Sequence, residues 1–196
     1  MSRYTYTLGL VAALSIGSLS LAIGPAAAAP APLRTVGVTS LDGVGGAWTY
    51  PDPANPTAPL QLPAGARLVV HATYPDNGTT VVTLQLTGAG ASREYGAHAH
   101  KAPCTAASAA AGGHFQNVPN PYPLNPTDPA YANPSNEVWL DVVTNEAGNG
   151  RAQTIVPWQP GTSRPMSVVI HALHTSTDQG TAGTAGLRVG CMTVPF

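Results

Sequence analysis

Charge of either sign is scarce in this chain. Eight Lys and Arg stand against nine Asp and Glu in 196 residues, which leaves no electrostatic footprint for nucleic acid or for an anionic membrane surface. Membrane-spanning runs are lacking too. The one extended apolar stretch, Leu8 to Ile23, is interrupted by Ser15, Gly17, Ser18 and Ser20, and it falls short of the roughly 20 apolar residues of a spanning helix. No internal repeat is present. With 21 glycines and 20 prolines spread throughout, no long segment keeps an uninterrupted helical period. Cysteine is limited to Cys104 and Cys191.

What is present begins with an export signal. Arg3, the apolar run and the small residues Ala26 to Ala29 form the pattern a signal peptidase accepts, so residues 1–29 are expected to be removed. No twin arginine precedes the run and no cysteine sits near the cleavage site to be lipidated. The mature chain is therefore expected to be free and soluble in a secreted, periplasmic or cell-wall location. Its 167 residues carry a net charge of about −2 and suit one domain with a real core. In an oxidising compartment two cysteines read as a disulfide. Closing a loop of 87 residues is worth roughly 4 to 5 kcal/mol in the chain-entropy model.

The strand pattern is that of an all-β protein. Leu68, Val70, Ala72 and Tyr74 share a face, Asp76-Asn77-Gly78 supplies a tight turn, and Val82, Leu84 and Leu86 resume the alternation. Further strands are predicted over 96–100, 137–143, 152–156, 167–171 and 188–194. Short strands joined by Gly/Pro-rich turns indicate a sandwich or Greek-key barrel over residues 64–196. Residues 30–63 are rich in Pro, Gly and Ala and read as a loosely packed lead-in, with one strand near Ala47 to Tyr50. Residues 116–136 carry six prolines and form a long irregular loop of the kind that is usually functional or disordered.

Four of the six histidines fall where strands could present them: Gly96-Ala97-His98-Ala99-His100, Gly112-Gly113-His114-Phe115 and Ser167-Val168-Val169-Ile170-His171. Spacing by two puts His98 and His100 on one face of a strand, about 7 Å apart, within reach of one ion. An H-x-H pair alone is weak, but two more histidines strengthen it. Three or four neutral imidazoles suit copper, with zinc as the competitor.

The ordered series G-x-H-x-H, a nearby cysteine, G-G-H-F, V-V-I-H and G-T-A-G-x-R-x-x-C resembles the signature series of copper/zinc superoxide dismutases, over about Arg67 to Phe196. The resemblance implies an eight-stranded Greek-key barrel and a copper site on His98, His100, His114 and His171. It also implies that Arg188 attracts and positions superoxide, that Cys104 and Cys191 form the family's disulfide, and that His114 matches the imidazole bridging copper to zinc. Between His114 and His171, however, there is no histidine, so the family's zinc ligands are missing and zinc is not expected. The segment from Ala172 to Leu187 carries one charge, Asp178, where the family often has several. Both departures resemble the copper-only branch.

Loss of zinc leaves the second nitrogen of His114 needing another partner. If 137–143 alternates, Glu137, Trp139 and Asp141 face the site, and Glu137 is expected to accept a hydrogen bond from His114, with Asp141 the second candidate. A solvated strand glutamate is the plain alternative. Elsewhere His71 reads as a surface residue, His174 as a loop residue with a supporting role at the site as the lesser alternative, Trp139 as packing, and Asn77-Gly78-Thr79 as a turn rather than a glycosylation site; an ordinary ion-pair role is the lesser alternative for Arg188. Three functions compete: a copper-dependent superoxide dismutase, an extracytoplasmic copper-sequestering protein without turnover, and a barrel with a vestigial site. Retention of Arg188 favours the enzyme, because storage has no use for a cation aimed at a metal ion. The scarcity of steering charges favours storage.

Overall fold

The computed structural model describes the backbone of residues 33–40, and residues 47–55, 57, 61–122 and 124–196 in full. The expected signal segment lies outside the described residues. Within them the chain is all-β, with one short 3-10 turn at Ser108–Ala111 and no helix long and apolar enough to cross a membrane.

The strands are β1 (Leu33–Ser40), β2 (Ala47–Thr49), β3 (Arg67–Thr73), β4 (Thr80–Thr87), β5 (Glu94–Tyr95), β6 (Ala97–His100), β7 (Val142–Val143), β8 (Gly150–Val156), β9 (Ser167–His171) and β10 (Arg188–Thr193). They form two four-stranded sheets, ordered β1-β3-β4-β8 and β2-β10-β9-β6, and a small β5-β7 pair. Every pairing is antiparallel. β4 pairs with β8 and β6 with β9, so long connections cross between non-consecutive strands as a Greek key requires.

The clearest predicted hairpin is β3–β4. Its turn works as its residues dictate: Gly78 takes φ +82°, which a side chain would resist, and Asn77 Oδ1 accepts from the Thr79 backbone N–H at 3.2 Å. Alternation on these strands buries Leu68, Val70, Ala72, Val82, Leu84 and Leu86 against Ala97, Ala99, Val168, Ile170 and Met192 of the opposing sheet. At about 25 cal/mol per Å² of apolar surface, these inner faces are the main source of stability.

β9 departs from alternation, and all five of its residues are buried. Val168 and Ile170 enter the main core, while Val169 joins Tyr50, Cys104, Ala111 and Cys191 in a second cluster on the outer face. That second cluster is the loop after β6, folded back over the sheet and joined to β10 by the Cys104–Cys191 disulfide, with the Cα atoms 5.8 Å apart.

Two expectations needed revision. Residues 30–63 contribute two strands, with β1 extending one sheet beside β3 and β2 extending the other beside β10. Residues 137–143 do not make one strand. They run beside β6, with Leu140 N–H bonded to the Ala97 carbonyl and Ala99 N–H to the Val138 carbonyl. Only single bridges form at Glu137 and Trp139 before the chain turns to pair Val142 with Tyr95. Val138, Leu140 and Val142 are nevertheless buried in the core as alternation predicts.

Since the disulfide closes an 87-residue loop, replacing both cysteines by serine should lower stability by roughly 4 kcal/mol. That corresponds to a drop in melting temperature of about 10 °C or more for a domain of this size. Thermal melts of the double variant check this; an unchanged midpoint would mean that the loop is held without the covalent link.

Candidate metal centre

Strand periodicity does place His98 and His100 together. Ala97 and Ala99 of β6 point into the core, and the two imidazoles occupy the other face, with neither exposed to solvent. β6 is the edge strand of its sheet. Its open side is covered by two returning segments, through the bridges His100 to His114 and His98 to Trp139. His114 thus arrives on an irregular segment and not on a strand. His171 ends β9, opposite Arg188 at the start of β10. A register shift between Arg188 and Gly190 bends β10 there, as bulges do near sites where a side chain must be re-aimed.

One ring nitrogen from each of His98, His100, His114 and His171 can be chosen so that all four lie within 4.8 Å of one another. Three buried nitrogens have no hydrogen-bond partner: His98 Nδ1, His100 Nε2 and His171 Nε2. An unpaired buried polar atom is costly, about 1–3 kcal/mol, and three at one point call for a ligand.

The opposite nitrogen of each ring is engaged. His100 Nδ1 donates to the Gly112 carbonyl at 3.0 Å and His171 Nδ1 to the Gly186 carbonyl at 3.3 Å. Carbonyls only accept, so both rings carry the proton on Nδ1 and turn a lone pair on Nε2 inward. His114 Nδ1 lies 2.7 Å from Glu137 Oε2. That oxygen also accepts from Trp139 Nε1 at 2.7 Å, and Glu137 Oε1 accepts from Gln116 Nε2 at 2.8 Å. The Glu137 carboxylate is thus buried among three donors, and the solvated reading is excluded. His98 Nε2 contacts the Thr175 hydroxyl at 2.7 Å, a group able to donate or accept. Four imidazoles converging on one point, three of them with the outer nitrogen held by a group that can only accept, fit a metal ion with nitrogen ligands, copper among them.

Asp141, the second candidate for His114, lies instead behind His98, which it reaches through Thr175. Its Oδ1 accepts from the Thr175 hydroxyl at 2.5 Å and its Oδ2 from the Thr175 backbone N–H at 3.1 Å. His174 stays half in solvent, with Nδ1 3.0 Å from the Thr175 carbonyl and 3.3 Å from Asp141 Oδ2. His71 lies away from the centre, on the polar outer face of the β3-β4-β8 sheet beside Thr83 and Gln153.

A cavity of about 600 Å³ opens onto the cluster, lined by His114, His171, Glu137, Arg188 and Lys101 with the Ala182–Gly186 segment and part of the 116–136 loop. The Arg188 guanidinium is held at its rim by two carbonyls, from Nη1 to Ser108 O at 2.7 Å and from Nη2 to Gly112 O at 2.6 Å. Arg188 and His100 therefore share the Gly112 carbonyl. Lys101, directly after His100, was not singled out from the sequence. Neither were Thr175, Gly112, Gly186 and Gln116.

No protein-family model matches this chain, and no curated protein matches it in sequence. Solved structures do. A double mutant of a SOD-like protein from Bacillus subtilis superposes with a TM-score of 0.50 at 15% identity, covering 66% of this chain and 90% of that one. The fold is that of a superoxide dismutase-like barrel. The Cu/Zn superoxide dismutase from Brucella abortus gives 0.49 at 15% identity over 83% of this chain and 99% of its own. The clock protein EA4 gives 0.46 at 21% identity over 66% and 86%.

Burial sets the protonation of the cluster. It pushes His98 well below the ordinary imidazole value, with the other three imidazoles and Arg188 adding to the effect. Burial and then His114 take His100 down to about 2, against an opposing contribution from the Gly112 hydrogen bond. Burial takes His171 down to about 4, opposed by the Gly186 bond. In the unfolded chain each returns to 6.5 and binds a proton that the folded state refuses. Their native contribution is thus intact above pH 6.5 and is lost as pH falls from there toward and below 4. Metal-free protein should lose stability between pH 7 and 5, by up to about 1.4 kcal/mol per histidine per pH unit. Melting temperatures of metal-free protein across that range test this, and a flat profile would contradict neutral burial.

Proposed function

We propose that the chain is an exported copper-dependent superoxide dismutase that has lost the zinc site. The observation that carries this reading is the convergence of three unpartnered buried imidazole nitrogens beside His114, behind a cavity that His114 and His171 line together with Arg188 and Lys101. His98 through Nδ1, and His100, His114 and His171 through Nε2, would hold the copper. Bound there, copper would supply one-electron redox chemistry, taking an electron from one superoxide and returning it to a second, so that two superoxides and two protons give dioxygen and hydrogen peroxide.

The chain's own residues would do the rest. Arg188 offers a planar, permanently charged fork suited to a small anion, fixed by its two carbonyl acceptors rather than waving in solvent. Lys101 adds a second positive charge to a cavity whose one lining carboxylate, Glu137, is buried and committed to its donors. Glu137 would act as the positioning residue of His114, holding the proton on Nδ1 and so keeping Nε2 available. That same bond argues against a shared zinc ion, because the nitrogen through which the imidazole would bridge is taken. Export is supported by the leader pattern of residues 1–29.

Dismutation measured on copper-loaded protein tests the reading, with Arg188→Ala alongside. The wild type should be active and lose rate as ionic strength rises. Arg188→Ala should keep copper affinity but lose about 10-fold in rate with a weaker salt dependence, since it is assigned to the anion and not to the metal. Tight copper binding without turnover would instead favour sequestration. Glu137→Ala should weaken copper binding about 10- to 100-fold; an unchanged affinity would remove Glu137 from the site's support.

A further inference from the structure

The three carbonyl- and carboxylate-bound imidazoles have their tautomers dictated by groups that can only accept. His98 does not. Its outer nitrogen faces the Thr175 hydroxyl, which could equally donate to Nε2 and so leave the ring proton on Nδ1, pointing at the cluster. His98 Nδ1 is buried and without a partner, so the wrong tautomer would place an N–H where the other three rings present lone pairs.

We infer that Asp141, through Thr175, is a positioning residue that sets the direction of this hydrogen bond and thereby the ligating nitrogen of His98. The inference rests on the reading of His98 as a metal ligand. Asp141 is itself pinned as an acceptor on both oxygens by donors that cannot reverse: Oδ1 by the Ala97 backbone N–H at 3.3 Å and Oδ2 by the Thr175 backbone N–H at 3.1 Å. The Thr175 hydroxyl, 2.5 Å from Oδ1, must then donate to the carboxylate. Its oxygen is left with lone pairs only, so His98 Nε2 must carry the proton and donate at 2.7 Å. The lone pair is forced onto Nδ1, the opposite ring atom from the one used by the other three histidines.

Glycine makes the arrangement sterically feasible. A Cβ on Gly96 would lie 3.0 Å from Thr175 Oγ1, 2.7 Å from the Leu173 carbonyl and 2.6 Å from Ala185 Cβ. The Leu173–Thr175 stretch can therefore press against the start of β6 only because residue 96 has no side chain. The Gly96 N–H to Leu173 carbonyl bond, 2.6 Å, holds it there.

Asp141→Asn separates this role from mere packing, because shape is kept and one acceptor becomes a donor. The amide NH2 conflicts least at the Oδ1 position, where it faces the Thr175 oxygen and one backbone N–H, that of Ala97 at 3.3 Å. Placed at Oδ2 it would meet both the Thr175 N–H and the His174 ring nitrogen. Donating to Thr175 Oγ1, it turns the hydroxyl hydrogen toward His98 and reverses the chain.

The test is nitrogen-15 NMR of the histidine rings in metal-free protein, which reads the tautomer without copper or turnover, together with copper affinity from competition with a chelator. Wild type should show His98 protonated on Nε2. Thr175→Ser should keep that tautomer and an affinity near wild type. Asp141→Asn should shift His98 toward the Nδ1–H form and weaken copper binding about 10- to 100-fold. A wild-type His98 protonated on Nδ1 overturns the inference. So does an Asp141→Asn variant with unchanged tautomer, or a shifted tautomer with unchanged affinity. If Asp141→Asn does not fold, the wild-type tautomer and the contrast between Thr175→Ser and Thr175→Val decide: Ser must keep the Nε2–H form and Val must lose its uniqueness. Should these results hold in a protein that binds copper without dismuting superoxide, the enzymatic reading falls and the role of Asp141 stands.

Discussion

Four imidazoles packed side by side, three of them buried, need two things of every ring if they are to hold one ion: one nitrogen bound on the outside, and the other turned inward with its lone pair. The rest of the molecule can be understood as meeting that demand. The outer partners come from four separate stretches of chain, namely the Gly112 carbonyl, the Glu137 carboxylate, the Thr175 hydroxyl and the Gly186 carbonyl. None of these lies on one of the strands. The barrel therefore supplies two rigid strand ends for His98, His100 and His171, and the loops supply the chemistry that orients them.

The loops are in turn fixed by a few shared contacts. Gly112 O accepts from both His100 and Arg188, so the metal-facing ring and the anion-facing guanidinium are registered against one atom. The loop bearing Gly112 is closed over β9 by the disulfide and by Tyr50, whose hydroxyl donates to the Thr105 carbonyl at 2.9 Å. The 116–136 loop is tied by Asn136, whose side chain donates to Val118 and Tyr131 carbonyls and accepts from the Val118 N–H. Long connections so heavily bonded at fixed points behave as parts of the site rather than as linkers.

Much of this was legible in the sequence, and the exceptions have physical reasons. β3, β4, β9 and β10 were readable because each combines β-branched or apolar residues with turn residues at its ends. Residues 33–40 were not, since LRTVGVTS follows a Pro- and Ala-rich stretch and pairs at a sheet edge, where pattern is weakest. Residues 137–143 alternate as a strand would, yet a strand also needs a continuous partner, and β6 offers only four residues before the chain moves on to β5. The four histidines were legible from spacing and order. Their outer partners were only half so: Glu137 followed from the need to replace a lost metal, whereas backbone carbonyls at Gly112 and Gly186 leave no trace in side-chain chemistry. Thr175 looks like any loop threonine until Asp141 is seen beside it.

The central claim is that these imidazoles form one copper site, with the nitrogen that a second metal would need already taken by Glu137. Metal analysis of protein loaded with copper and zinc together tests it most directly. The account predicts one copper per chain, lost when His98 or His171 is replaced by alanine, and no stoichiometric zinc. One zinc per chain at a distinct site, or copper binding that survives loss of those histidines, would contradict it.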